Sequence, residues 1–156
     1  LPIRFNLGVL FWTPVIFILM GLTADAVTSL SGGYNYFTTE IFQYIKPLSI
    51  FDKFAALAPM AILYGLLNGF YEEFCFLGLL TCVEDKYKWQ ALAYSTLVRI
   101  SFHTYQGMLW ATVIGVVFGL MYYFFYKYKV KNLLPFFLIH ALADIFGSGF
   151  IYLICA

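Results

Sequence analysis

The chain is built from long apolar runs, at residues 7–22, 54–80, 89–105, 108–126 and 133–156, which one sizeable polar loop and three short polar stretches separate. A helix that crosses a bilayer needs roughly 20 mostly apolar residues, and in hydrocarbon the backbone must satisfy its own hydrogen bonds. The runs therefore predict an all-α, polytopic transmembrane helix bundle with about five membrane helices. It reads as a single transmembrane domain over residues 1–156, with a polar-motif-bearing core at 54–156. Composition agrees: 63% of residues are hydrophobic and 11% charged, against about 25% charged in soluble domains. A net charge of +1 without a basic stripe argues against a nucleic-acid partner, and three cysteines in or beside apolar runs argue against a disulfide scaffold. The chain starts at Leu1 and stops at Ala156 inside an apolar run, so it is expected to be a fragment of a larger bundle.

The first run is too rich in bulky residues for a signal-peptide core, and Pro14 predicts a kink in it. Residues 23–53 read as a polar loop in which Phe37, Ile41, Phe42, Tyr44 and Ile45, stopped by Pro47, form a short interfacial helix. Five crossings place Arg4, Lys86, Lys88, Lys127, Lys129 and Lys131 on one face and only Lys46 and Lys53 on the other, so the first face is expected to be cytoplasmic. The Tyr and Phe clusters at 34–37 and 122–128 are expected at the two headgroup belts. Gly65-x-x-x-Gly69 and Gly115-x-x-x-Gly119 predict close helix contacts.

Six ionisable residues fall inside the predicted spans: Glu72, Glu73, Arg99, His103, His140 and Asp144. A charge at the bilayer centre costs about 2.5–3.5 kcal/mol or more, so such residues usually mark a function. Arg99 and His103 are four apart, as are His140 and Asp144, so each pair shares a helix face. Counted from one membrane face at about 1.5 Å per residue, Glu72, Arg99 and Asp144 sit roughly 12–17 Å deep. Carboxylates and imidazoles at one level of a low-dielectric cavity can activate water and stabilise an oxyanion. Asn68, one turn before Glu72, can face the same cavity but reads first as a packing residue, and Cys75 reads as a small apolar filler.

These residues resemble the CPBP or Abi group of intramembrane proteases, which includes the CAAX prenyl endopeptidases. The first motif of that group, E-E-x-x-F-R-G, is matched by Glu72-Glu73-Phe74-Cys75-Phe76-Leu77-Gly78. The second, F-x-x-x-H with a bacterial variant ending H-x-Y-Q-G, is matched by Arg99-Ile100-Ser101-Phe102-His103-Thr104-Tyr105-Gln106-Gly107. The third, H-x-x-x-N or H-x-x-x-D, is His140-Ala141-Leu142-Ala143-Asp144. Two positions depart from the pattern: Leu77 replaces the motif arginine and Arg99 replaces the motif phenylalanine. Either Arg99 supplies from another helix the cation that pairs with Glu73, or the site is that of a pseudo-enzyme.

The resemblance implies a peptidase with catalytic residues Glu72, Glu73, His103, His140 and Asp144, supported by Arg99. Glu72 acts as general base on a water also held by His103, while His140 and Asp144 line the oxyanion side. The implied substrate is a membrane-associated or lipidated peptide, as in bacteriocin or pheromone processing or CAAX-like proteolysis, at a bacterial plasma membrane. No cofactor and no metal are implied, although two histidines and a glutamate are a donor set that zinc can use. Membrane lipid and a membrane protein are the other expected partners. A non-catalytic scaffold of the same fold is the alternative, favoured by Leu77. A proton-coupled transporter is the third class, but no broken-helix repeat supports it.

Overall fold

The computed structural model describes residues 1–31, 55, 57–147 and 149. Five helical elements follow one another with no strand among the described residues. They are α1 (Leu7–Ser31), α2 (Pro59–Glu73, running on as a π-helical turn, Phe74–Leu79), α3 (Lys88–Phe102), α4 (Met108–Val130) and α5 (Leu134–Phe146). The bundle of about five helices is thus observed. Two of them, α1 and α4, are long and apolar enough to cross a membrane by length and composition. Asn68, Glu72 and Glu73 lower the mean hydropathy of α2.

The distribution of side chains is inverted relative to a water-soluble protein. Glu72, Glu73, Ser95, Arg99, His103 and Asn132 are buried, while Leu7 and Leu30 are 84% and 89% exposed and Met60, Leu67, Leu97 and Met108 also face outward. Burying charge while exposing leucine is favourable only where the surroundings are apolar.

Several boundaries differ from the expectation for physical reasons. The polar loop expected from residue 23 is helical as far as Ser31. The Thr23 hydroxyl donates to the Leu19 carbonyl at 2.7 Å and that of Thr28 to the Ala24 carbonyl at 2.9 Å, so the threonines bond their own helix and do not end it. α1 also continues through Pro14. The third run breaks earlier than residue 105: α3 stops at Phe102, and a 3-10 turn, Thr104–Gln106, leads to Gly107 at φ 88°. α4 extends past residue 126 to Val130, where Lys131 closes it in the left-handed conformation. The interfacial helix expected at 37–45 and the end of the last run lie outside the described residues.

The basic segments gather at one end of the bundle. Lys127 Nζ lies 3.4 Å from Asp85 Oδ1, linking the last turn of α4 to the α2–α3 connection. Asn132 ties the N-terminal segment to the same end, accepting from the Arg4 amide at 3.0 Å and donating to the Arg4 carbonyl at 2.6 Å. Its side chain, just ahead of the start of α5, also accepts from the Leu134 amide at 3.3 Å. The headgroup-belt expectation fails for Tyr122 and Tyr123, both buried in the core, whereas Phe124 and Tyr128 of the same cluster are exposed. Tyr122 sits on the inward face of α4, its ring against Phe136 of α5.

Small residues set the spacing of α2 and α5. A Cβ on Gly69 would lie 2.7 Å from the Phe137 carbonyl oxygen and 2.9 Å from the Ala141 amide nitrogen, and one on Gly65 would meet Ile145 at 2.9 Å. The obstacles at Gly69 are backbone atoms, so the helices would have to separate. We therefore expect Gly69→Ala to lower stability by about 1–3 kcal/mol, read as a lower thermal midpoint in detergent. Gly119→Ala, whose Cβ first meets neighbours at 3.6 Å, should leave the midpoint nearly unchanged.

Candidate active site

The three motifs converge on one buried polar cluster in which the adjacent glutamates differ sharply. Glu73 is wholly inaccessible, and both its oxygens are occupied. Arg99 reaches it with two parallel bonds, Nη1 to Oε1 at 2.9 Å and Nη2 to Oε2 at 2.8 Å, and His140 Nδ1 donates to Oε1 at 2.7 Å. The guanidinium carbon also lies 4.9 Å from the Phe76 ring centre and 6.0 Å from that of Tyr122, so aromatic faces cover the rest of the cation. Arg99 thus stands where a cation partner for Glu73 was expected, and Leu77 is packed in the apolar core instead.

Glu72 has the opposite surroundings. It is 3% exposed, and its Oε2 has no hydrogen-bond partner. The Nε2 atoms of His103 and His140 face that oxygen at 3.4 Å and 3.8 Å. Both imidazoles are fixed from their far side. His103 stands at the end of α3, and its Nδ1 donates to the Arg99 carbonyl at 2.8 Å, an oxygen that also accepts from the His103 backbone amide at 3.2 Å. His140 is fixed through Nδ1 by Glu73. A carbonyl or a carboxylate can only accept, so each Nδ1 carries the hydrogen and each Nε2 is turned to the cavity.

Local backbone irregularity places these groups. The π-helical turn begins directly after Glu73, and its carbonyls are bonded by hydroxyls: Ser95 of α3 donates to Phe76 at 2.7 Å, and Thr81 donates to Leu77. Such re-bonding lets a helix within hydrocarbon depart from regular geometry.

The cluster opens into a cavity with about 480 Å³ of empty space, counted to its mouth. All six site residues expected from the sequence line it. Asp144 lies with Oδ1 3.8 Å from His140 Nε2, while its Oδ2 accepts from Asn68 Nδ2 at 2.9 Å. Asn68 is therefore part of the cavity wall as well as a packing residue. Met20 of α1 and Tyr122 and Phe118 of α4 complete the wall and were not foreseen as site residues. Tyr122 donates its hydroxyl to Met20 Sδ at 3.3 Å. Their surrounding sequence carries no polar periodicity that marks them. Gln106, in the turn after His103, also lines the cavity, with Oε1 buried and unpaired. Cys75 does not line it and borders an apolar groove on the far side of α2.

Removing one partner of a buried ion pair strands the other charge at a cost of about 3–5 kcal/mol. Arg99→Ala should therefore lower the thermal midpoint strongly. Leu77→Arg combined with Arg99→Phe should recover much of the loss, because residue 77 is one helical turn from Glu73 and borders the space that the Arg99 side chain occupies. No recovery would contradict the view that any correctly placed cation serves Glu73.

Comparison with known proteins follows the same residues. A family model described as Type II CAAX prenyl endopeptidase Rce1-like matches residues 54–146. No curated protein and no solved structure matches the chain. The matched region is more than half of the chain, holds all three motifs, and includes every helix of the cavity wall except α1. This chain is a member of the Type II CAAX prenyl endopeptidase Rce1-like family, a family of integral membrane proteases.

Proposed function

We propose that the chain is an intramembrane peptidase that hydrolyses a peptide bond near the end of a membrane-associated or lipidated peptide, using water activated by Glu72. The observation that carries this reading is the unpaired Glu72 Oε2, buried at the cavity and faced by two imidazole Nε2 atoms at 3.4 and 3.8 Å. A carboxylate oxygen out of contact with bulk water needs a hydrogen-bond donor. A water between Glu72 and His103 satisfies it: one hydrogen goes to Oε2, the other to His103 Nε2.

In the reaction Glu72 takes a proton from this water as the oxygen bonds to the scissile carbonyl carbon, and the carbonyl π electrons move to its oxygen. His140, protonated at Nε2, faces that oxygen. Collapse of the tetrahedral adduct breaks the carbon–nitrogen bond, and Glu72 returns its proton to the leaving amine. Glu73 and Arg99 touch neither water nor peptide in this scheme. They are positioning residues, which moves Glu73 from the catalytic role expected of it to support of His140. Bacteriocin or pheromone maturation and CAAX-like processing both fit this chemistry, with a bacterial plasma membrane as its setting.

Loss of a general base lowers rates by about 10²–10⁴-fold. Glu72→Gln keeps the shape of the side chain but cannot take a proton. In lipid nanodiscs, with a library of farnesylated and unmodified peptides followed by mass spectrometry, the wild-type chain should cleave and Glu72→Gln should lose at least about 10²-fold in kcat, with an unchanged thermal midpoint. Equal cleavage by both proteins would remove Glu72 from the chemistry. Absence of cleavage by either would favour the non-catalytic scaffold.

A further inference from the structure

The donors that could meet an oxyanion in this cavity are few. One is the His140 Nε2–H already placed on it. Both guanidinium nitrogens of Arg99 that face Glu73 are bonded to that carboxylate, His103 Nδ1 is bonded to the Arg99 carbonyl, and His140 Nδ1 is bonded to Glu73. The Tyr122 hydroxyl donates to Met20, and Gln106 Nε2 donates to the Tyr105 hydroxyl at 2.8 Å. A carboxylate at Asp144 has no hydrogen to give. Asn68 differs: its amide nitrogen carries two hydrogens, and one of them reaches Asp144 Oδ2 at 2.9 Å. No second partner of that nitrogen is seen among the described residues. Because the carboxylate can only accept, the contact also fixes which end of the Asn68 amide is nitrogen.

We propose that Asn68 is a catalytic residue, its second amide N–H donating to the oxyanion formed on the scissile carbonyl while Asp144 holds the amide in place. The inference rests on the peptidase reading. Asn68 precedes Glu72 by four residues on α2, and Asp144 follows His140 by four on α5, so the pair forms the next layer of the same cavity beside the water-activating layer. A carbonyl whose carbon is attacked by the Glu72 water can point its oxygen to that layer. There the amide meets the negative charge that develops as the carbon–oxygen π bond opens, and releases it as the carbon–nitrogen bond breaks. Asp144 then acts through Asn68: an acceptor at 144 and an amide donor at 68 divide between two helices the work of orienting and donating.

The test measures kcat and KM in nanodiscs on the peptide that the wild-type chain cleaves in the library above. The variants are Asn68→Ala, Asn68→Asp, Asp144→Asn and the exchange Asn68→Asp with Asp144→Asn. Removal of one oxyanion donor costs about 10²–10³-fold in kcat. Asn68→Ala, which introduces no charge, and Asn68→Asp should each show that loss with KM little changed. The exchange, which keeps one amide against one carboxylate, should regain most of it. An unchanged kcat in Asn68→Ala, a loss confined to KM, or an exchange variant no faster than Asn68→Asp overturns the proposal while leaving the peptidase reading in place. A wild-type chain that cleaves nothing overturns both.

Discussion

The buried contact of Arg99 with Glu73 is the constraint on which the rest of the site depends. Taking both ions out of water costs several kcal/mol for each, and only close geometry with further hydrogen bonds offsets that. Here the offset comes from two parallel bonds of 2.9 and 2.8 Å, a third bond from His140 and an aromatic face at 4.9 Å. The three polar partners come from α2, α3 and α5, so one interaction fixes the mutual placement of the three motif helices. It also divides the labour of the two neighbouring glutamates. Glu73 is saturated and rigid, and that saturation leaves Glu72 as the carboxylate able to meet a water.

Packing and backbone geometry serve the same end. Gly69 lets α5 approach the backbone of α2 at the level of His140, and a bulkier residue there would move the imidazole away from both glutamates. The end of α3 at Phe102 turns His103 so that its own helix holds Nδ1 and the cavity receives Nε2. The departures from regular helix on either side of the site are therefore part of how two imidazoles come to face one carboxylate oxygen.

Much of this was legible in the residues because of their period. Polar groups four apart in otherwise apolar runs, Arg99 with His103 and His140 with Asp144, place each pair on one face, and their common depth places the faces together. The exchange of cation between positions 77 and 99 was equally readable, since a buried Glu73 needs a partner and Leu77 cannot be one. Other features follow from contacts that the local pattern does not encode. The length of α1 depends on threonine hydroxyls bonding their own helix, which makes a polar stretch helical. Tyr122 is in the cavity because its helix turns inward, whereas an aromatic cluster beside lysines reads as a headgroup belt. Which glutamate is held and which is open came from the family resemblance and not from two adjacent identical residues; physically it depends on which of them Arg99 and His140 reach. Asn68 acquires its meaning only when Asp144 is seen 2.9 Å away on another helix.

The central claim is that Glu72 and His103 hold a water poised to attack a peptide, and an experimental structure determined from crystals grown in a lipidic mesophase, at a resolution that shows ordered water, tests it most directly. The account predicts density for one water within hydrogen-bond distance of both Glu72 Oε2 and His103 Nε2, with Glu73 still bonded to Arg99 and His140. A Glu72 side chain bonded directly to a protein donor, or turned out to lipid with a dry cavity behind it, would contradict it.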